Sequence, residues 1–289
     1  MIRQTAIVTG LVLISGCVDT GQEYATTALF VSGSDLSAPI TSSDGSSIKI
    51  DRADIAFGPL YLCAGKSAGH LCDTARLEWL DSAIVDTTLT EPTQIGELNG
   101  VTGTVRSWMY DLGISSQLTR QEPFVLDAAE QLGGSSFVLE ATATVSGIEI
   151  PMVAEVAVMQ TSDTELGVPV IRKSISEPFF RDITNNEDQL LITFDSSQWL
   201  KELSLTKYVS FEVCTSSGAA TVCDGLIERS CEGDIEKSNR NCGDFGQVCL
   251  SGLGCQEKLD ISTDDEAVRN IRNSILSGTR PSFSWTPSP

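Results

Sequence analysis

The chain has 289 residues, of which 41% are hydrophobic and 20% are charged, so it can bury a core in one large domain or two. Asp and Glu outnumber Lys and Arg by 39 to 19, which gives a formal net charge of -20 at pH 7. Nucleic acid and anionic lipid surfaces would repel such a protein, so we exclude nucleic acid as a partner. A surplus of acids is typical of solvated extracytoplasmic surfaces.

The first residues have the layout of a secretory signal peptide. Arg3 supplies a positive charge, and the apolar run over 6–14 is too short to cross a bilayer as a helix. The run ends in Leu13-Ile14-Ser15-Gly16-Cys17, which resembles the lipobox of bacterial lipoproteins. In that motif an aliphatic residue and two small ones precede the cysteine that is modified. An ordinary cleaved signal beside an unmodified cysteine is the alternative.

The lipobox resemblance implies an address for the mature chain. By that resemblance residues 1–16 are removed, Cys17 takes a diacylglyceryl group, and the new amino terminus is acylated, typically with palmitate. Several acyl chains anchor a protein firmly, because each buried methylene contributes roughly 0.8 kcal/mol. Val18 stands where the family's inner-membrane retention signal has an aspartate. The resemblance therefore implies the outer membrane, with the protein periplasmic or surface-exposed and the membrane as a partner through the lipid.

After a polar tether over 17–26, short segments with apolar or alternating patterns predict strands. The clearest is a hairpin whose arms, 137–145 and 148–158, are joined at Ser146-Gly147. Pro151 lacks an amide hydrogen, so its arm should lie at an edge or on a bulge. The predicted strands are 28–32, 48–57, 60–63, 101–112, 137–145, 148–158, 189–194 and 207–213.

Helix signals are few. Asp195 with Gln198 forms a candidate capping box for a short helix through Trp199, Leu200 and Leu203. Ser262 with Asp265 predicts a cap for a longer helix over 264–277, whose apolar face is Ala267, Val268, Ile271 and Ile275. After it, Phe283 and Trp285 share a face, so the last strand should dock on the core.

Many short strands with few helices predict a mostly β fold, an antiparallel β-sandwich with a small disulfide-rich module and one or two short helices. The predicted organisation along the chain is as follows: signal peptide 1–16, lipidated tether 17–26, β-sandwich 27–224, disulfide-rich module 225–258, and a carboxy-terminal helix and strand over 259–289 that dock on the sandwich.

Eight cysteines remain once Cys17 carries lipid, and an even number in an oxidising compartment predicts disulfides. Two pairs bracket turn-rich loops, which predicts Cys63–Cys72 and Cys214–Cys223. Four more cysteines follow within 25 residues and allow three pairings. Analogy with small modules whose bridges cross favours Cys231–Cys249 and Cys242–Cys255. A four-thiolate zinc site is the competitor, and the wide gaps between these cysteines disfavour it.

Catalytic and metal-binding chemistries have weak support. The single histidine, His70, lies in a small loop beside Ser67, where a surface role is favoured over a triad. A glycosidase needs only two carboxylates, and the sequence does not select a pair. The runs Asp182–Asp188 and Asp264–Glu266 offer oxygen ligands for Ca²⁺, although a solvated turn and a helix start explain them. The four tryptophans could line a sugar platform, and their apolar neighbours favour the core instead. They are Trp79, Trp108, Trp199 and Trp285.

Two further segments resemble known domains. Asp44-Gly45-Ser46-Ser47-Ile48-Lys49-Ile50-Asp51-Arg52-Ala53-Asp54-Ile55 and the closing Arg280-Pro281-Ser282-Phe283-Ser284-Trp285 resemble extracytoplasmic β-sandwich domains of uncharacterised bacterial lipoproteins. The arrangement is also similar to copper-binding β-sandwich proteins of the MbnP type. Those proteins use several histidines at the metal, whereas this chain has only His70.

The sequence thus predicts a lipid-anchored envelope protein that is not an enzyme, a binding or structural module without a cofactor, whose partner is a protein or glycan. One alternative is a hydrolase that cuts polysaccharide through two carboxylates, which a pair of buried acids in a cleft would favour. Another is a Ca²⁺ or copper binder.

Overall fold

The computed structural model describes residues 21–65, 75–115, 124–162, 165–169, 173–175, 180–184, 188–209, 211, 213–216, 221–232, 234–277 and 280–287. These residues form a mostly β structure of two large sheets, several small ones and two α-helices, which confirms the predicted fold class. Neighbouring strands are antiparallel except for two parallel pairs, Tyr24–Ser32 with Asp188–Thr193 and Ile148–Ala157 with Leu259–Asp260.

The strands, numbered along the chain, are β1 Tyr24–Ser32, β2 Ile40–Thr41, β3 Ser47–Phe57, β4 Leu60–Cys63, β5 Ala75–Trp79, β6 Ala83–Asp86, β7 Thr93–Val101, β8 Gly103–Val105, β9 Ser107–Tyr110, β10 Ile114–Ser115, β11 Phe124–Val125, β12 Ser135–Val145, β13 Ile148–Ala157, β14 Met159–Ser162, β15 Glu165–Pro169, β16 Lys173–Ile175, β17 Arg181–Ile183, β18 Asp188–Thr193, β19 Thr221–Asp224, β20 Ile227–Glu232, β21 Ile235–Asn241, β22 Val248–Leu250, β23 Gly254–Gln256, β24 Leu259–Asp260 and β25 Ser282–Pro287. The α-helices are α1 Asp127–Gln131 and α2 Asp265–Ser277. Short 3-10 helices cover Ser196–Leu200, Thr206–Tyr208, Cys242–Phe245 and Ile261–Thr263.

One large sheet has six strands, in the order β2-β3-β12-β13-β24, with β6 also paired to β3. Its centre is the predicted hairpin, in which Val145 pairs with Ile148 across a two-residue turn. Both turn residues have positive φ, 52° at Ser146 and 83° at Gly147. A turn of that kind matches the twist of the flanking strands, so the register of β12 and β13 is fixed locally.

The other large sheet has eight strands, in the order β16-β9-β4-β5-β7-β1-β18-β25. This sheet is strongly curled. Trp108 of β9, near one edge of the sheet, stacks on Phe283 of β25 at the opposite edge, with ring centroids 4.2 Å apart. The inward faces of both sheets share a single apolar core. Phe57, where the chain leaves the six-stranded sheet, lies in that core with its ring centroid 5.3 Å from that of Phe194 and 5.4 Å from that of Tyr110.

Two predicted strands are wrong. The segment 101–112 is divided among the last residue of β7 and two short strands, β8 and β9, and Gly103, the first residue of β8, has φ 132°. These three strands pair with different neighbours, so no single strand runs through the segment. In the segment 207–213 the structure describes residues 207–209, 211 and 213: Lys207 and Tyr208 lie in a 3-10 helix, and Phe211 forms an isolated bridge with Asp224.

The carboxy-terminal segment packs as predicted, with one corrected detail. Ala267, Ile271 and Ile275 of α2 are buried, and β25 pairs with β18 along six residues. The cap of α2 is Asp264 rather than Ser262, since Asp264 Oδ1 accepts from the N–H groups of Glu266 and Ala267 at 2.9 and 3.1 Å. The Ser262 hydroxyl instead accepts from the N–H of Glu155.

No helix in the described part of the chain is both long enough and apolar enough to cross a membrane.

Candidate functional site

Three disulfides cross-link residues 211–256, a region called the cystine module below. They pair Cys214 with Cys231, Cys223 with Cys249, and Cys242 with Cys255. The last pair is the one predicted from sequence, whereas the predicted Cys214–Cys223 and Cys231–Cys249 pairs are wrong. The predicted Cys63–Cys72 bridge involves Cys72, which lies outside the described residues, as does the predicted lipid site at Cys17.

Sheet stacking explains the corrected pairing. In the three-stranded sheet β19-β20-β21 the residue opposite Cys223 is Glu228, so the β19–β20 hairpin offers Cys223 no sulfur partner. Cys249 and Cys255 lie opposite each other in the hairpin β22-β23. Cys249 bonds to Cys223 in β19, and Cys255 bonds to Cys242 in the adjacent 3-10 helix. The two bridges therefore fasten this hairpin to the neighbouring sheet.

The core of the cystine module is largely sulfur. Cys223, Cys242 and Cys249 are buried against one another, with Cys255 partly buried beside them. Glu228 supports this cluster, since its carboxylate accepts from the N–H of Cys255 at 2.8 Å. Val248 and Leu250 alone join the large core from this module, among the described residues. Covalent bonds thus replace the apolar packing that holds the sandwich.

Several large apolar side chains of the cystine module point into solvent instead of into a core. Among the described residues eleven large apolar side chains are exposed, and six of them belong to the cystine module. They are Phe211, Val213, Leu226, Ile235, Phe245 and Leu253. Singly exposed apolar residues are ordinary, but a local concentration of them marks interaction surfaces.

Three of these side chains lie at or beside two glycine-containing turns of the module. The Phe211 ring lies 3.3 Å from the position that a Cβ on Gly225 would occupy, next to Leu226. Leu226 Cδ1 lies 3.5 Å from the corresponding position on Gly243. Phe245 follows two residues later, 64% exposed, with the guanidinium of Arg240 4.6 Å from its ring centroid. We call Phe211, Leu226 and Phe245 the apolar strip.

The 3-10 helix that carries Phe245 is built by its own polar residues. Asn241 accepts from the N–H of Gly243 at 3.1 Å and donates to Asp244 at 3.1 Å. Gly246 ends the helix in the left-handed conformation, with φ 68°. The turn therefore fixes the backbone that carries the Phe245 ring. A phenylalanine between Asp244 and Gly246, inside a run of turn residues, is the sequence signal that could have revealed the exposed ring.

Asp44 joins two segments of the sandwich, the loop between β2 and β3 and the segment at 205–206 that precedes the cystine module. Its carboxylate accepts from Ser42 Oγ at 2.7 Å, from the N–H of Ser46 at 3.0 Å and from the N–H of Thr206 at 2.7 Å, and Leu205 N–H also donates to it. Partial burial alone would raise the pKa of Asp44, but these hydrogen bonds outweigh burial and hold that pKa well below its usual range. The loop between β2 and β3 is thereby fastened to the 3-10 helix Thr206–Tyr208.

Asp264 joins the start of α2 to the 3-10 helix Thr206–Tyr208. Besides capping α2, its carboxylate lies 2.8 Å from Lys207 Nζ and accepts from the Tyr208 hydroxyl. Burial would raise the pKa of Asp264, but the hydrogen bonds from Lys207, Tyr208 and the Ala267 N–H outweigh it and lower that pKa. Glu266 lies 3.0 Å from Lys207 Nζ, so two of the three acids at 264–266 have structural partners.

The sequence candidates for a metal are only partly brought together. Glu228, Cys242 and Cys255 place three ligand atoms within 4.8 Å of one another, but both sulfurs are bonded in a disulfide and are not thiolates. Cys231 of the competing four-thiolate set is bonded to Cys214. In the run 182–188, Asp182 accepts from Thr104 Oγ1 at 2.5 Å, and residues 185–187 lie outside the described residues.

The structure describes only part of the set of catalytic candidates. His70 and Ser67 lie outside the described residues. Two aspartates of the described chain are buried, Asp54 and Asp111. Arg52 holds Asp54 through two nitrogens, Nε and Nη2, each 2.6 Å from the same carboxylate oxygen. Asp54 therefore takes part in an ion pair with Arg52.

The tryptophans belong mostly to the core, as predicted. Trp79, Trp108 and Trp199 are at most 7% exposed, and Trp285 is partly buried against the core. The Arg181 guanidinium lies 5.3 Å from the Trp285 ring centroid. Three of these rings are therefore buried too deeply to form a sugar platform.

Comparison with known proteins adds little. No protein-family model matches the chain, and no curated protein sequence matches it. Among solved structures, MbnP from Methylosinus trichosporium aligns with 93% of this chain and 99% of that chain, at 11% identity and a TM-score of 0.37. This agrees weakly with the resemblance noted from sequence, and a TM-score so low carries no argument about function.

Proposed function

We propose that this protein is a lipid-anchored, non-enzymatic binding protein of the cell envelope, attached to the outer membrane through Cys17, and that it binds through the cystine module. The observation that carries the binding role is the concentration of exposed apolar side chains on that module. The lipobox pattern at Leu13–Cys17 supports the anchor.

The disulfides allow apolar side chains of the cystine module to stay exposed. Burying a Val, Leu, Ile or Phe side chain stabilises a fold by about 1.5–3 kcal/mol, so folded proteins tend to bury these residues. Three bridges stabilise the cystine module without that burial. Its apolar side chains thus remain available to a partner, on a backbone that loses little freedom on binding.

Cross-linking in intact cells tests the binding role. A photoreactive amino acid is placed at position 245, and in a matched variant at position 80, where an exposed leucine lies on the sandwich. We expect a defined adduct from position 245 and none from position 80. Equal adducts from both positions, or none from position 245, would contradict binding through the cystine module.

Membrane fractionation tests the anchor. Replacing Cys17 by Ser removes the sulfur that the lipid requires, so the protein should move from the outer-membrane fraction to the soluble fraction. The matched control is Cys63→Ser, which changes a cysteine that the lipobox does not include. If Cys17→Ser leaves the protein with the membranes, the anchor is disproved.

A further inference from the structure

No bridge of the cystine module joins cysteines that are consecutive in the sequence. Each of the three bridges passes over at least one other cysteine of the module, and their sequence separations are 17, 26 and 13. For every one of the six cysteines, another cysteine is closer in sequence than the native partner. These are Cys214, Cys223, Cys231, Cys242, Cys249 and Cys255. Oxidation of the unfolded chain therefore has wrong partners close at hand.

One wrong pair is favoured by the β22–β23 hairpin itself. Cys249 and Cys255 are six residues apart and lie directly opposite each other in this hairpin. Opposed residues of antiparallel strands have Cα atoms about 4.5 or 5.5 Å apart, within the range of about 4.4–6.8 Å that a disulfide spans. The turn closes locally, since Leu253 N–H donates to the carbonyl oxygen of Leu250 at 2.9 Å. Local structure thus brings the two sulfurs together without help from the rest of the module.

Chain entropy favours the same wrong pair. A separation of six residues closes about ninefold more readily than the native separation of 26 between Cys223 and Cys249. Once Cys249 is bonded to Cys255, the sulfurs left in the cluster are those of Cys223 and Cys242. When these two also pair, the cluster has no thiol left that could start a rearrangement.

The two pairings differ in what they hold together. Cys223 belongs to β19, and Cys242 begins the 3-10 helix that follows β21, so a bridge between them lies within the three-stranded sheet and its helix. A Cys249–Cys255 bridge lies within the hairpin. In the native pairing both bridges run between the hairpin and that sheet with its helix, and Leu250 of the hairpin is 1% exposed in the large core. The wrong pairing has no covalent link that holds the hairpin there.

We propose that this protein is a substrate of a thiol–disulfide isomerase. The enzyme converts a mispaired form, with bridges Cys249–Cys255 and Cys223–Cys242, into the native form. An external thiolate has to start the exchange, because the mispaired cluster contains no free thiol. This maturation step is independent of lipid attachment and of the binding role proposed above.

The chemistry balances in electrons and protons. Each initial bridge forms when two thiols pass two electrons and two protons to the disulfide of an oxidising enzyme. The isomerase thiolate then attacks Cys255 Sγ, and the Cys249–Cys255 bond breaks with its electron pair on Cys249 Sγ. The Cys249 thiolate attacks Cys223 Sγ and releases Cys242 as a thiolate. Cys242 attacks Cys255 Sγ and expels the isomerase thiolate, so the exchange consumes no oxidant and no reductant.

Oxidative refolding of the reduced, unfolded full chain tests the pathway. The chain carries Cys17→Ser so that this position adds no thiol. Ferricyanide is the oxidant because it releases no thiol, and acid stops the exchange at chosen times by protonating thiolates. Trypsin leaves the last three cysteines on one peptide, Asn241 to Lys258, whereas pepsin cuts at leucine and separates Cys249 from Cys255. Mass spectrometry of the peptic fragments then identifies each bridge.

The expected products differ with and without the isomerase. Among early species with one bridge, Cys249–Cys255 should exceed Cys223–Cys249 by about ninefold. With ferricyanide alone the fully oxidised chain should keep the Cys249–Cys255 bridge, and protein disulfide isomerase with reduced glutathione should convert it into the native form. Absence of Cys249–Cys255 among the early species, or native bridges formed equally fast without any added thiol, would overturn the proposal.

Two matched variants locate the dependence. Replacing Cys242 and Cys255 by Ser removes the wrong partner within the hairpin, so the bridge between β19 and β22 should form in a larger fraction of chains with ferricyanide alone. Replacing Cys214 and Cys231 by Ser removes as many sulfurs but leaves the cluster of four, so this fraction should stay at the wild-type level. Bridge mapping reads both results whether or not a variant reaches full stability. An unchanged fraction in the first variant, or an equal increase in the second, means that the proposal is wrong.

Discussion

The sandwich and the cystine module differ in where they place large apolar side chains. In the sandwich Phe57, Leu29 and Leu98 have no exposed surface, and side chains from both sheets surround them. In the cystine module Phe211 is 61% and Phe245 is 64% exposed, while sulfur atoms occupy the interior. A small set of strands too short to bury a core is held by covalent bonds, which leaves its apolar residues available for contact outside the molecule.

The largest effect should come from the apolar core. Replacing Phe57 by Ala should lower the free energy of unfolding by about 3–5 kcal/mol, because the cavity among Trp79, Tyr110 and Phe194 is not refilled. Phe211→Ala is the matched control and should change that free energy by less than about 1 kcal/mol. Denaturation in urea measures both. Similar losses in the two variants would remove the distinction between the parts.

The next effect should be confined to the cystine module. Replacing Cys223 and Cys249 together by Ser opens a loop with a sequence separation of 26, which should cost about 3 kcal/mol of local stability. Hydrogen exchange should become faster in β19, β20, β22 and β23, while β12 and β13 keep their protection. Loss of protection in β12 would show instead that the module and the sandwich unfold together.

Acid should weaken the hydrogen bonds that fasten the 3-10 helix Thr206–Tyr208 to the rest of the fold. Asp44 and Asp264 have pKa values lower in the fold than in the unfolded chain, so each stabilises the fold fully above its unfolded pKa of about 3.9 and loses that contribution as pH falls through the folded value. The free energy of unfolding should therefore decline below about pH 4.

Asp44→Asn separates the Asp44 contribution from the rest. It should lower stability by about 1 kcal/mol at pH 7 and reduce the decline in acid, because the neutral amide keeps the shape of the side chain but not its charge. Urea denaturation at a series of pH values measures both effects. An acid decline identical to that of the wild type would rule out Asp44 as a contributor.

The smallest effect on stability should come from the apolar strip. Phe245→Ser should change the free energy of unfolding by less than about 0.5 kcal/mol, since the ring is mostly in solvent and loses only its contact with Arg240. Thermal unfolding followed by circular dichroism measures the change. A loss comparable to that of Phe57→Ala would mean that Phe245 is part of a core and would leave the strip without its main evidence.

Elements whose partner lies nearby in sequence were predictable. The β12–β13 hairpin followed from alternation on either side of Ser146-Gly147, and the buried face of α2 followed from the spacing of Ala267, Ile271 and Ile275. The docking of β25 followed from Phe283 and Trp285 on one face. In each case local geometry or a single amphipathic face fixes the result.

Features that depend on distant partners were not predictable. Residue patterning was enough to predict the mostly β class, the signal-peptide layout, and an even set of cysteines that could pair. The folded structure was needed to show that β1 pairs in parallel with β18, that Cys223 is bonded to Cys249, and that Phe211 and Phe245 face solvent. The physical reason is that periodicity states which face of a strand is apolar but not which strand, sulfur atom or solvent will cover it.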